Sequence, residues 1–239
     1  MFEQLRKAFG LNNHPKASSQ GVATPGQLAL WAGAQRWDFA FEGEPDRFVL
    51  QGQVVEHPWR LESGAPTRDY IQGTELRVRA ELALSPDAHV MVINRALKEE
   101  LEGRVYGAIT DSLQTTVNQS LPQEMRWLSI YEELRWPQMP ASFLRAFAVV
   151  GEDLDTARHW VNAALVSQLM RDQQQLPPGQ VPLVLMVSDA SMALRMQSTA
   201  RYLPDLEYAM ALFLTASVVA THHLPPTADD HGPSTLPVT

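Results

Sequence analysis

Residues 75–84 alternate between two chemistries. Leu76, Val78, Ala80 and Leu82 interleave with Glu75, Arg77, Arg79 and Glu81. Period-2 alternation predicts a β-strand with one face on a core and the other toward water or a partner. Shorter strand signals lie at 37–41, 48–55, 58–62 and 90–93. A further strand is expected over 143–150, followed by Gly151 and an acid-capped amphipathic helix from Leu154 to Met170. After a Pro-Pro-Gly turn, runs at 182–188 and 192–197 read as two more strands, with Ser188-Asp189-Ala190-Ser191 as the turn between them. Together these residues form a β-α-β-β unit.

Helical spacing appears elsewhere. Pro25 opens a helix over 27–35 carrying Leu28, Leu30 and Trp31. Residues 96–102 begin another, 106–117 continue helically, and 121–136 place Met125, Trp127, Leu128, Tyr131 and Leu134 among charged positions. The last helix spans 205–221. Its uncharged run, 208–221, falls short of the about 20 apolar residues a bilayer crossing needs, which predicts a core helix and no transmembrane segment. The resulting fold class is α+β: antiparallel sheet with helices packed on one side, in two lobes or one continuous domain.

The expected organisation follows the composition shifts. Phe2, Leu5 and Phe9 make residues 1–11 an amphipathic helix, and 12–26 a linker rich in Asn, Pro, Ser and Gly. Residues 27–138 form an N-terminal α+β lobe and 139–223 a C-terminal β-α-β-β-α lobe. From 224 onward the chain reads as a disordered tail, because that composition cannot bury enough apolar surface to offset chain entropy.

A net charge of -8 and no basic block argue against sequence-independent nucleic-acid binding, which needs several cationic contacts to phosphate. With no cysteine in 239 residues, disulfides, thiolate metal sites and thiol nucleophiles are excluded. The N-terminal residues lack the apolar core of a secretory signal, so cytoplasmic residence is the default expectation.

Candidate chemistry is sparse. Trp59, Arg60, Arg68, Tyr70, Arg77 and Arg79 form a candidate ligand site, because planar guanidinium forks clamp carboxylate or phosphate. The competing reading is cross-strand ion pairing with Glu62, Glu75 and Glu81 on a solvated face. Asp111 near Glu99, Glu100 and Glu102 is the candidate for a metal-assisted hydrolase, against a plain helix-cap role. The histidines show no HExxH spacing, and no metal site or cofactor is expected. Glu152, Asp153 and Asp155 read as helix-capping acids. GxSxG, GxGxxG and GxxxxGK[ST] are all absent from the chain.

The residues from 142 to 220 resemble a widespread bacterial domain family of unknown function. The resemblance lies in Phe143, Phe147 and Val149 as an F-x-x-x-F-x-V strand, the acidic turn Gly151-Glu152-Asp153, the helix after it, and a strand pair with a closing helix. It implies a bacterial protein and supplies no catalytic residues. Members of that family often carry transmembrane helices ahead of the domain, which this sequence does not show. The functional expectation is a non-catalytic module for protein interaction or self-association. Its partner is a protein or a second copy, with peripheral membrane contact through Phe2, Leu5 and Phe9 as a further route. The alternative is a small anionic-ligand module built on Arg60, Arg68, Arg77 and Arg79.

Overall fold

A computed structural model describes residues 22–44, 46–111, 121–171 and 178–226, with 107–111 described as backbone only. Helix α1 (Pro25–Ala34) starts where the sequence places it. Proline sits in its first turn, and Thr24 and Gln27 cap each other reciprocally. Leu28, Trp31 and Ala32 face the core. Strands β1 (Asp38–Phe41), β2 (Phe48–Val54), β3 (His57–Gly64) and β4 (Thr74–Glu81) then run as an antiparallel meander. The β2–β3 turn holds Val55 and Glu56 at φ 46° and 67°, the left-handed pair that matches hairpin twist.

Strand β5 (Val90–Asn94) leads into α2 (Arg95–Asp111), α3 (Gln123–Ile130) and the two-residue strand β6 (Glu132–Glu133). Helix α4 (Ala141–Ala146), β7 (Phe147–Gly151), α5 (Leu154–Trp160), α6 (Ala163–Leu169), β8 (Leu183–Ser188), β9 (Ser191–Ser198) and α7 (Leu203–His223) follow. The nine strands among the described residues join one antiparallel sheet in the order β1-β2-β3-β4-β9-β8-β5-β7-β6. It is continuous across the boundary expected near residue 138, because β5 pairs with both β8 and β7.

The α+β class is therefore present as an antiparallel sheet with helices. Its main helical layer, α1 with α4 to α7, packs on one face. A smaller layer, α2 and α3, lies on the opposite face over β5, β7 and β8. That second layer explains why these three strands are apolar except at their ends, Asn94 and Ser188, and buried at every position.

Local differences have local causes. Residues 143–146, expected in a strand, form α4. Pro140 precedes the helix, Leu144 N–H bonds to the Pro140 carbonyl, and Phe143 stacks on Phe147 one turn later. The helix expected from Leu154 to Met170 is two helices, since the Asn162 side chain accepts from the N–H groups of Ala164 and Leu165 and starts a new one. The 121–136 segment leaves helix at Tyr131 and pairs as β6 with β7. Asp153 caps α5 as expected.

The expected linker and tail are in part ordered. Ala23 N–H bonds to the Arg201 carbonyl, Leu224 is buried, and Ser85 N–H bonds to Pro225. Residues 1–21 and 227–239, with the expected contact residues Phe2, Leu5 and Phe9, lie outside the described residues. Helix α7 is long and apolar enough to span a bilayer, yet 72% of that apolar window is buried within the protein.

Glu133 ties the far edge together. Arg95 grips it with two N–H groups at 2.8 and 3.2 Å while also donating to the Leu144 and Phe147 carbonyls. Lys98 and Arg135 add to it at 3.3 and 2.7 Å. Burial pushes the Glu133 carboxyl up, but the bonds from Arg95, Arg135 and Lys98 outweigh it and hold the group at about 2. A depressed carboxylate adds stability that is present above its unfolded value, near 4.5, and lost as pH falls toward 2. The expected contribution at neutral pH is roughly 3 kcal/mol. Urea titrations should show wild type and Glu133→Gln differing by that amount at pH 7, with the gap narrowing below pH 4.5 and mostly gone by pH 2; a gap that stays constant with pH would contradict the assignment.

Candidate functional site

The site arises because α2 and α3 cover only half of their face of the sheet. They stop at β8, and the remaining half, β2-β3-β4-β9, presents its polar side. Strand register makes that side a ladder: Arg60 faces Arg79, Glu62 faces Arg77, and Arg77 faces Arg195. Opposed like charges are unfavourable on a sheet. Carboxylates placed between them resolve this conflict.

Glu75 is the central one, with a fully buried side chain. It accepts from Thr67 N–H at 2.6 Å, the Thr67 hydroxyl at 2.9 Å, Arg77 Nη1 at 3.1 Å, and Arg195 Nη1. Glu62 bridges Arg60 at 2.9 Å and Arg77 at 3.2 Å, and these bonds, led by Arg60, lower its carboxyl below the usual range. Arg60 also reaches Glu42 at 3.1 Å. Arg79 pairs with Glu81 at 2.9 Å, and both side chains are about two-thirds exposed.

The wall of the site is the 65–73 loop pinned to α3. Arg68 grips Glu124 through Nε and Nη2, at 2.5 and 3.4 Å, and the Tyr70 hydroxyl donates to the same carboxylate at 2.7 Å. Burial raises Glu124, but the donors overcome it and leave the carboxyl below its ordinary value. Burial, reinforced by that carboxylate, drives the Tyr70 phenol well above the usual range. Between loop, ladder and α3 lies a groove of about 550 Å³. Val184, Met186 and Ala193 line its apolar floor beside Arg79 and Arg195, and Gln123 and Glu124 close its helical side.

No protein-family model, no curated protein and no solved structure matches the chain. The site rests on its geometry.

Of the residues expected to form it, Arg60, Arg68, Arg77 and Arg79 do line the groove. Trp59 also borders the groove, but its side chain packs on the opposite face. It stands edge-on to Trp37 at 5.1 Å over Gly52, where an added Cβ would come within 2.6 Å of its ring. Tyr70 is buried beneath the loop and holds Glu124 instead of a ligand. Arg195, Ala193 and Glu124 are additions. The alternation of Met192, Leu194 and Met196 with Ala193, Arg195 and Gln197 shows that Arg195 has a polar face, but nothing in it says that β4 is the neighbour. Asp111 ends α2 with its side chain outside the described set. Among the described residues no group of three or more acids and histidines is arranged to hold a metal. A second depression, about 680 Å³, lies between α5, α6 and the 136–140 segment, with Trp136, Met139, Val166 and Met170 in its lining.

Proposed function

We propose that this chain is a non-catalytic binding module, that the groove is its working surface, and that its ligand joins an anionic group to a small apolar body. The observation that carries this reading is the convergence of Arg60, Arg68, Arg77, Arg79 and Arg195 around an apolar floor on the half of this face that no described helix covers. The volume falls within the range of small-ligand sites, which combine apolar lining with a few placed polar groups. Glu75 and Glu124 are saturated by guanidinium, hydroxyl and backbone donors. Of the two, the Glu124 carboxyl is held below its ordinary value by Arg68 and Tyr70 despite its burial, which makes it a poor proton acceptor for acid–base chemistry in the groove.

Arg77 and Arg68 spend their donors on the framework, whereas among the described residues Arg79 meets only an exposed Glu81 and Arg195 engages through a single nitrogen. These two sit beside Ala193, where a small side chain leaves room. An anion displacing Glu81 from Arg79 gives up only a weak exposed pair. An acidic side chain of a protein partner presents the same kind of anion, and the groove then serves as the interaction surface.

Hexanoate and phenyl phosphate serve as probes in calorimetric titration of the full chain. Arg79→Glu is expected to weaken binding by about tenfold or more, beyond the effect of a screened surface charge, with little change in Tm. No binding of either probe, or equal binding by the variant, would overturn the reading.

A further inference from the structure

Taking the groove as the binding site proposed above, we infer that its ligand is a straight-chain carboxylate of about eight to ten carbons, with its head between Arg60 and Arg79 and its tail crossing Ala193 toward α3. Two rungs of the ladder set arginine against arginine: Arg77 faces Arg195, and Arg60 faces Arg79. The first rung is bridged from within. The Glu75 carboxylate accepts from Arg77 on one oxygen and from Arg195 on the other. The second rung has no such bridge among the described residues. Arg60 bonds to Glu62 and Glu42 through Nε and Nη2, and Arg79 bonds to Glu81 through the same two nitrogens.

Glu62 lies one way along the ladder, opposite Arg77, and Glu81 lies the other way. Each acid therefore draws its arginine outward, and Nη1 of both has no acceptor among the described residues. A like-charge rung is unfavourable unless an anion sits in it. The neighbouring rung shows which anion this sheet accommodates between two guanidiniums, and it is a carboxylate.

The tail's path follows from the same register. Across the strands the rung continues from Arg79 to Ala193 on β9 and then to Met186 on β8. Ala193 has a small side chain, and Arg195 beside it bonds to Thr67 and Glu75, on the side away from this row. Residues on one face of a strand repeat about every 7 Å, so the row is a lane about one hydrocarbon chain wide. The methylene stems of Arg79 and Arg195 flank it. Met186 and Val184 close the lane, because the α2–α3 layer buries them to 7% and 3% exposure. From the centre of the Arg60–Arg79 rung to β8 is about 12 Å, and an extended chain advances about 1.2 Å per bond. The wall therefore stops a chain longer than about ten carbons.

Calorimetric titration of the full chain with butanoate, hexanoate, octanoate, decanoate and dodecanoate, each below its critical micelle concentration, measures the lane. Affinity is expected to rise about threefold per added methylene as far as octanoate or decanoate, then to level off. Ala193→Leu fills the row with a side chain that a strand tolerates. It should weaken octanoate by about tenfold and butanoate by less than about twofold, with little change in Tm. Arg60→Gln should weaken every chain length alike, by about fivefold or more. Affinity independent of chain length, or reduced equally for all chains by Ala193→Leu, would overturn the tail's path and leave the arginine site standing. Octanoate binding unchanged in Arg60→Gln would overturn the placement of the head. Binding of phenyl phosphate with no binding of any alkanoate would overturn this ligand class alone, whereas no binding of either would overturn the groove as a ligand site.

Discussion

Replacing Glu75 with alanine is expected to destabilise the protein by about 3–5 kcal/mol and to lower Tm by about 10 °C. The side chain is wholly buried and is the shared acceptor for Arg77, Arg195 and Thr67. Arg77 and Arg195 lie directly opposite each other on β4 and β9, so removing the carboxylate leaves two guanidiniums facing one another with their common partner gone. The cost is chiefly that of the stranded charges, not of one lost ion pair. Glu75→Ala combined with Arg195→Met removes one of those charges and should recover part of the loss. Urea and thermal unfolding of the three variants tests this. A loss under about 1 kcal/mol for Glu75→Ala would mean that other groups neutralise the ladder.

Trp160→Ala is expected to cost a similar amount, about 3–5 kcal/mol, from the opposite layer. Trp160 ends α5, has no exposed surface, and wedges against α7, where its Nε1–H donates to the Ala216 carbonyl at 3.1 Å. Alanine would open a cavity between two helices that the sheet cannot collapse to fill. Phenylalanine keeps most of the volume and loses the indole donor, so about 1–2 kcal/mol is expected for it. Equal losses in the two variants, measured by denaturant unfolding, would show that the hydrogen bond outweighs the packing.

Much of the sheet can be read along the chain because alternation survives wherever one face is open. Strand β4 is the clearest example, and its polar Arg77, Arg79 and Glu81 line the groove. Strands β5, β7 and β8 carry no alternation because both of their faces are covered, so the second helical layer leaves no periodic trace. The site was half visible for a related reason. Arg60, Arg77 and Arg79 share a face by parity, whereas Trp59 and Arg60, adjacent on one strand, must point to opposite faces. Period 2 alone therefore separates Trp59 from the guanidiniums it was grouped with. Arg195 and Glu124 join them across 120 and 56 residues of sequence, and pairing at that range leaves no local pattern.

The placement of β9 beside β4 also governs how the chain can be made. Strand β4 ends at Glu81 and its outer neighbour begins only at Ser191. At typical elongation rates a ribosome needs on the order of ten seconds to supply that neighbour. Until then the β1-to-β4 meander has its future centre exposed as a raw edge, and Arg77 lacks the strand that completes its pairing. Vectorial synthesis thus leaves the middle of the sheet open longest, and a holdase that binds nascent chains would find its substrate there.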